Sequence, residues 1–139
     1  MKAAPRIVLD TNVLVAALLH PDRKPARVVA LVFDGQLHLL VDERILAEYD
    51  EVLRRSKFRF AASNVDALLL TIRLIAESVV APPLGVHLPD GGDIAFAEVA
   101  VGGHADALVT GNARHFPQDA LPSVQVVSPA ELLRRLTLG

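Results

Sequence analysis

The sequence of 139 residues contains no cysteine. That absence excludes disulfide scaffolds, cysteine-based zinc sites and thiol nucleophiles, and it gives no reason to expect a secreted protein. Long apolar runs are also missing, because the longest one covers only Val13–Leu19 and is too short to span a membrane. Asp10, Thr11 and Asn12 interrupt the N-terminal apolar stretch, which is therefore not typical of a signal peptide. We expect a cytoplasmic protein without a membrane segment.

A large excess of either charge is absent as well. The chain has 14 lysine and arginine residues against 16 aspartate and glutamate residues, and this formal charge of −2 by itself argues against a nucleic-acid partner. The glycine motifs of P-loop and dinucleotide-binding proteins are missing, as is the nucleophile elbow of hydrolases. Hydrophobic residues are abundant, at 52%. With no repeats or low-complexity segments, this composition predicts one compact domain over residues 1–139 with a well-buried core.

Short apolar runs alternate with helical patterns along the chain. The runs are continuously apolar, which is typical of strands that helices cover on both faces. Alternating strands and helices require crossover connections, so we expect a three-layer α/β/α sandwich with a central, mostly parallel sheet of about five strands. The predicted strands are Arg6–Leu9, Leu37–Val41, Val79–Ala81, Ala107–Thr110 and Val124–Val127. The predicted helices are Asn12–Leu19, Pro25–Asp34, one from the N-cap Asp42 to about Arg55, Ser63–Glu77, one from about Asp90–Asp93 to Val101, and a last one capped by Ser128.

Acidic and amide side chains follow several of these strands. Asp10 ends the first strand, Asp90 and Asp93 begin the helix after the third, and Asn112 follows the fourth. The active site of such a sheet lies outside the carboxyl ends of its strands, so these side chains should converge there. Converging carboxylates repel one another unless a cation lies between them, and oxygen ligands suit Mg²⁺ or Mn²⁺. The pattern therefore predicts metal-assisted phosphodiester hydrolysis.

The helix after the second strand carries a further candidate ligand, which spacing alone does not identify. Glu48 and Asp50 border opposite sides of the apolar stripe of this helix, so either could face the same edge of the sheet.

Most of these residues also have a purely structural interpretation. Asp10 could cap the helix that follows it, Asp90 could cap its own helix near the positive end of the dipole, and Asn112 could be a turn residue after Gly111. Asp93 differs from them because it lies on the inward stripe of its helix, where a carboxylate needs a partner. Its position favours a functional role.

Four segments carry a resemblance to a known family. They are IVLDTNVLVAALL, LAEYDEVL, DGGDIAFAEVA and ADALVTGNARHF, and together they span nearly the whole chain. In these motifs and their order the chain resembles the PIN-domain family, most of all the bacterial PIN proteins described as toxin components of toxin–antitoxin pairs. The resemblance implies a PIN-like α/β/α fold, a Mg²⁺- or Mn²⁺-dependent endoribonuclease and a cognate antitoxin as partner.

The resemblance also implies roles for individual residues, and it favours Glu48 over Asp50. A metal-bound water would attack the phosphorus in line, and the ion would stabilise the charge that develops. The implied metal ligands are Asp10, Glu48 and Asp93, with Asn112 as a fourth catalytic residue. Thr11, Asn12 and Asp90 are implied to support the ligands through hydrogen bonds.

The chain departs from the family pattern at two places. Many family members have an aspartate where this chain has Asn112, which removes one negative charge from the cluster and bears on metal affinity and on a second ion. Gly91 and Gly92 replace a stretch that is often more acidic. Asn112 leaves an alternative open, namely a PIN-like binding or regulatory module with weak or no nuclease activity.

RNA must be bound through its phosphates, and two basic groups are candidates. One follows Asn112 closely, and the other, interleaved with Phe58 and Phe60, could combine phosphate contact with base stacking. Cations at the end of a helix are also favourable for structural reasons alone. The predicted RNA contacts are Arg114 and His115 in the first group and Arg54, Arg55 and Lys57 in the second.

The charge balance does not exclude RNA once the predicted site is set apart. Without Asp10, Glu48, Asp90 and Asp93 the chain has 14 basic residues and only 12 acidic ones. The high apolar content additionally predicts a homodimer.

Overall fold

The computed structural model describes residues 3–138, and within them the chain forms one five-stranded sheet. The strands are β1 (Arg6–Leu9), β2 (His38–Val41), β3 (Glu77–Ser78), β4 (Ala107–Val109) and β5 (Gln125–Val127). All neighbouring strands are parallel, in the order β3-β2-β1-β4-β5. The chain runs outward from β1 on one side and from β4 on the other, so the crevice between these two strands is the expected binding position.

Six α-helices surround the sheet within residues 3–138. They are α1 (Thr11–Leu19), α2 (Lys24–Phe33), α3 (Glu43–Leu53), α4 (Ala62–Ile75), α5 (Ile94–Gly102) and α6 (Pro129–Leu138). Helix α2 packs against α1 and α6, α3 packs against α4 and α5, and α5 lies on β1, β2 and β4. The predicted three-layer α/β/α architecture with a parallel five-stranded sheet is thereby confirmed.

The core lies on both faces of the central strands. Ile7, Val8 and Leu9 of β1 are all fully buried, as expected for a strand between two layers of helices. Neighbouring helices begin at side-chain caps that the sequence predicts. The carboxylate of Asp42 accepts the Ile45 amide at 3.0 Å, and the hydroxyl of Ser128 accepts the Glu131 amide at 3.1 Å.

The predicted strand Val79–Ala81 is wrong. The edge strand is Glu77–Ser78, and only the amide of Val79 continues the ladder by donating to the Val41 carbonyl at 2.8 Å. Val80 is 98% exposed, so an apolar run that is typical of a buried strand lies instead in a surface segment. Arg6 and His38 both bind the carboxylate of Glu77, and spacing along one chain segment does not reveal these contacts.

The other predicted boundaries agree with the structure within about two residues, which is the ordinary uncertainty of helix and strand ends. Among residues 3–138, no helix has both the length and the apolar composition that crossing a membrane requires.

Candidate functional site

The candidate site begins where β1 and β4 end side by side. The Asp10 amide donates to the Val109 carbonyl at 2.9 Å, which fixes the two strand ends together. The Thr110 hydroxyl donates to Asp10 Oδ2 at 2.7 Å, and the Asn112 amide donates to that hydroxyl oxygen at 3.0 Å. Asp10 precedes α1 but its side chain makes no capping hydrogen bond. The capping interpretation of Asp10 is therefore excluded, and Thr110 orients its carboxylate instead.

The first residues of α1 connect this edge to two other segments. The Thr11 hydroxyl makes a short hydrogen bond to Glu48 Oε2. Asn12 Oδ1 accepts the Gly111 amide at 3.1 Å, which ties α1 to the loop after β4. Thr11 therefore contacts the predicted ligand Glu48, whereas Asn12 contacts the loop after β4. A supporting role of either residue at a metal site stays a prediction.

Helix α3 presents Glu48 to the site and turns Asp50 away. The Tyr49 hydroxyl donates to the Leu9 carbonyl at 2.6 Å, which anchors the helix to the end of β1. Asp50 is half exposed and accepts from Arg54 Nε at 2.6 Å on the outer side of the helix. The structure therefore brings Glu48, and not Asp50, next to Asp10.

Asp90 and Asp93 flank a short 3₁₀ turn over Gly91–Asp93 that leads into α5. Asp90 caps this turn, because its carboxylate accepts the Gly92 amide at 2.9 Å. Asp93 is only 7% exposed, and its Oδ2 atom is buried. A methyl group at Gly92 would lie 3.3 Å from Asp90 Oδ1 and 4.0 Å from Glu48 Oε1. The absence of a side chain at Gly92 leaves the space between these carboxylates open.

His115 completes the cluster. Its Nδ1 atom forms a close contact of 2.8 Å with Asp93 Oδ2, and its Nε2 atom lies 2.9 Å from Asn112 Nδ2. Asp90, Asp93 and His115 each offer one ligand atom, and these atoms lie within 4.8 Å of one another. This group shares only Asp93 with the predicted ligand set, and Asp10 and Glu48 lie beside it.

Burial and mutual repulsion raise the pKa of three of these carboxyl groups. Burial, together with the negative charge of Asp10, raises the pKa of Asp93 to about 6. Burial also raises the pKa of Asp10, although the hydrogen bond from Thr110 opposes this shift. The pKa of Glu48 is raised by burial and further by the charges of Asp10 and Asp90. Ionising the whole cluster costs free energy, and a bound cation would remove that cost.

The described residues fit a hard divalent cation. Carboxylate oxygens are the ligands that Mg²⁺ and Mn²⁺ prefer. Asp90 and Asp93 offer such oxygens close together, and the charge of Asp10 acts on both Asp93 and Glu48. The carboxylate of Asp93 is the clearest sign, because it is buried and its Oδ2 atom lies 2.8 Å from His115 Nδ1, which is itself a possible metal ligand. A metal ion would neutralise this buried carboxylate.

The predicted RNA contacts differ in their surroundings. Arg54 pairs with Asp50 and Asp66, and Arg55 pairs with Glu51, so both guanidinium groups already have carboxylate partners. Lys57 lies over the ring of Phe58, which stacks on Phe60. Arg114 is exposed on the short 3₁₀ turn beside His115. Contact of any of them with RNA stays a prediction, and Arg114 lies nearest in sequence to the cluster.

Glu98 is a positioning residue that the sequence analysis did not identify. Its carboxylate accepts from Arg44 of α3 at 2.7 Å and from the Leu84 amide at 3.0 Å. It therefore ties α5, which begins after Asp93, to α3, which carries Glu48, and to the segment that leads to Asp90. The one available signal was an acidic residue, now only 7% exposed, within an otherwise apolar helix.

The fold and the site together define the class of this protein. It is a parallel α/β/α sandwich with an acidic cluster at the carboxyl ends of β1 and β4. The chain belongs to the PIN-domain family, because the family model described as PIN domain matches residues 6–114.

Solved structures of similar fold include VapBC2 from Rickettsia felis, determined with a DNA fragment from its promoter. It is 16% identical with a TM-score of 0.59, and the match covers 88% of this chain and 98% of that chain. PAE2754 from Pyrobaculum aerophilum is 16% identical with a TM-score of 0.58, covering 99% of this chain and 92% of that one. At this identity the similarity concerns the fold. No curated protein matches the chain.

Proposed function

We propose that this protein is a divalent-metal-dependent endoribonuclease. The observation that carries the proposal is the buried carboxylate of Asp93, which lies with Asp90 and His115 in one group of possible metal ligands. Membership of a family whose members are generally nucleases supports the same conclusion. Asp10, Glu48 and Asp93 would hold Mg²⁺ or Mn²⁺, with Asp90 and Asn112 completing the site.

The chain supplies orientation and charge to this reaction. Thr110 fixes the Asp10 carboxylate, and Thr11 fixes that of Glu48, so neither has to be ordered when an ion arrives. When bound, the ion would lower the pKa of water and neutralise charge on the phosphodiester. No cysteine is available, and the cluster offers no serine, so covalent attack by a side chain is not part of the proposal.

RNA would approach over the edge that carries Asn112 and His115. Arg114 is the exposed cation on this segment and would contact a phosphate next to the scissile one. Arg54, Arg55 and Lys57 remain proposed contacts further along the chain. For Arg54 and Arg55 this would require exchanging carboxylate partners for phosphate.

We further propose that the protein is the toxin component of a toxin–antitoxin pair and forms a homodimer. The fold similarity to VapBC2 supports the first part. A lysine or arginine of the antitoxin would fit between Asp90 and Asp93, because the cluster attracts any cation.

Co-expression with the product of the neighbouring gene tests the antitoxin proposal. We expect the two proteins to co-purify and nuclease activity to be suppressed in the complex. A stable complex with undiminished activity, or no complex, would contradict it.

Asn112 favours one alternative, a PIN-like binding module with weak or no nuclease activity. An amide in place of a carboxylate lowers the negative charge of the site and weakens its hold on a hard cation.

Removal of divalent ions distinguishes these functions. With Mg²⁺ or Mn²⁺ present, we expect a labelled single-stranded RNA to be cleaved, and a chelator should return cleavage to background until the ion is restored. Binding of the RNA without cleavage in either ion would favour the binding module. Cleavage that persists in the chelator would contradict the metal-dependent mechanism.

A further inference from the structure

We propose that His115 is a metal ligand through Nδ1 and that the site therefore prefers Mn²⁺ to Mg²⁺. The inference rests on the metal-dependent function proposed above and specifies the ion and an additional ligand. It starts from the group of Asp90, Asp93 and His115, whose ligand atoms lie within 4.8 Å of one another.

The position of the imidazole relative to Asp93 carries the proposal. Nδ1 of His115 and Oδ2 of Asp93 are 2.8 Å apart, and Oδ2 is a buried oxygen. Two ligands of one small cation lie about as close as this, since each sits about 2 Å from the ion. Asp90 offers the third ligand atom from the exposed side, which leaves an open path for the ion.

Asn112 supports this role from the other side of the ring. A metal-binding histidine donates its second ring N–H to an oxygen acceptor, which fixes the ring. The side-chain amide nitrogen of Asn112, Nδ2, lies 2.9 Å from Nε2 of His115. Rotation of this amide by half a turn exchanges Nδ2 for Oδ1 and supplies that acceptor. The side chain of Asn112 can therefore hydrogen-bond to Nε2 of the imidazole whether or not a metal ion is bound at Nδ1.

The nitrogen ligand determines which ion the site takes. Mg²⁺ binds almost entirely through oxygen and keeps several waters, whereas transition-metal ions accept imidazole readily. Asn112 and the imidazole also give the site less negative charge than a set of carboxylates would, which weakens the attraction for both ions. The nitrogen ligand is the feature that favours Mn²⁺ over Mg²⁺.

The test compares Mn²⁺ and Mg²⁺ binding to the wild-type protein and to His115→Gln. Glutamine keeps a polar group near Asn112 but removes Nδ1. Pulsed EPR of the Mn²⁺-loaded wild type should show ¹⁴N coupling from one imidazole, and the coupling should vanish in the variant. The Mn²⁺ affinity should fall about 10-fold or more, with Mg²⁺ affinity changed by no more than about twofold.

Two further variants complete the design. His20→Gln removes an exposed histidine at the end of α1 and should change neither the coupling nor either affinity. His115→Asp replaces nitrogen by oxygen and should shift the preference back towards Mg²⁺.

The outcomes separate this inference from the proposed function. Mn²⁺ binding without ¹⁴N coupling, or an equal loss of both affinities in His115→Gln, would overturn the histidine ligand and leave a metal site of carboxylates. If the wild-type protein binds neither ion, the metal-dependent function itself fails, and the histidine ligand with it.

Discussion

Replacing Asp10 or Asp93 by asparagine is expected to lower metal-dependent RNA cleavage by about 100-fold or more. Asparagine has the shape of aspartate but lacks its charge, so the electrostatic attraction for the ion is lost while packing is kept. Asp10 is held by Thr110, and Asp93 is buried at the start of α5. The measurement is initial cleavage rate of a labelled RNA at saturating Mn²⁺.

Asp50→Asn is the matched control for this prediction. Asp50 lies on the same helix as Glu48 but pairs with Arg54 on the exposed side, so its loss should leave cleavage unchanged. Circular dichroism should show the same helix content in all three variants. Unchanged cleavage in both Asp10→Asn and Asp93→Asn would refute the assignment of the site.

The second large effect concerns stability without metal. In this state we expect Asp93→Asn to be more stable than the wild type by about 1–3 kcal/mol at pH 8. The pKa of Asp93 is raised from 3.8 to about 6. The folded protein therefore holds this proton more tightly than the unfolded chain, and the associated stability is lost as the pH rises from about 4 to about 6. Asparagine carries no charge and avoids this loss.

Thermal unfolding between pH 4.5 and 8, with chelator or with Mn²⁺, measures this effect. The wild type should lose stability as the pH rises in chelator and regain it with Mn²⁺. Asp93→Asn should lose less stability over this pH range, because only the raised pKa values of Asp10 and Glu48 remain, and Mn²⁺ should stabilise it less. The titration of Glu77 does not contribute to the change in stability over this pH range. Hydrogen bonds from Arg6 and His38 lower its pKa to about 2, so its contribution is lost only as the pH falls below about 4.5. A lower melting temperature for Asp93→Asn in chelator at pH 8 would contradict the account.

A higher stability of metal-free Asp93→Asn than of the wild type would show that the site gives up stability of the folded protein for function. Four carboxyl groups at the carboxyl ends of β1 and β4 repel one another in the metal-free protein. The scaffold tolerates this because Thr110, Thr11 and Glu98 hold the surrounding segments in place.

Most of the fold could be predicted from the sequence because its signals are local. Continuous apolar runs gave β1, β2, β4 and β5, and the caps Asp42 and Ser128 gave two helix starts. The error at Val79–Ala81 concerns an edge strand of two residues, in which the Glu77 carboxylate binds Arg6 and His38 from distant parts of the sequence. Three apolar residues in a row cannot reveal partners that lie about 40 to 70 positions away.

The site was predictable in its position but not in its contacts. The rule that parallel strands place ligands at their carboxyl ends was enough to bring together Asp10, Asp93 and Asn112. Spacing left Glu48 and Asp50 equivalent, because the anchor that orients α3 is a hydrogen bond from Tyr49 to the backbone of β1. His115 was expected at a phosphate, and its contact with Asp93 depends on how the turn after Asn112 folds back.

The most direct test is a crystal structure of the protein grown with Mn²⁺, in which anomalous scattering locates and counts the ions. The account predicts at least one Mn²⁺ bound to Asp93 Oδ2 at about 2 Å, with further ligands from the surrounding carboxylates. A nitrogen of His115 in the same coordination sphere would add support for the preference for Mn²⁺. A well-ordered cluster with no ion at Asp93 at millimolar Mn²⁺ would contradict the central claim.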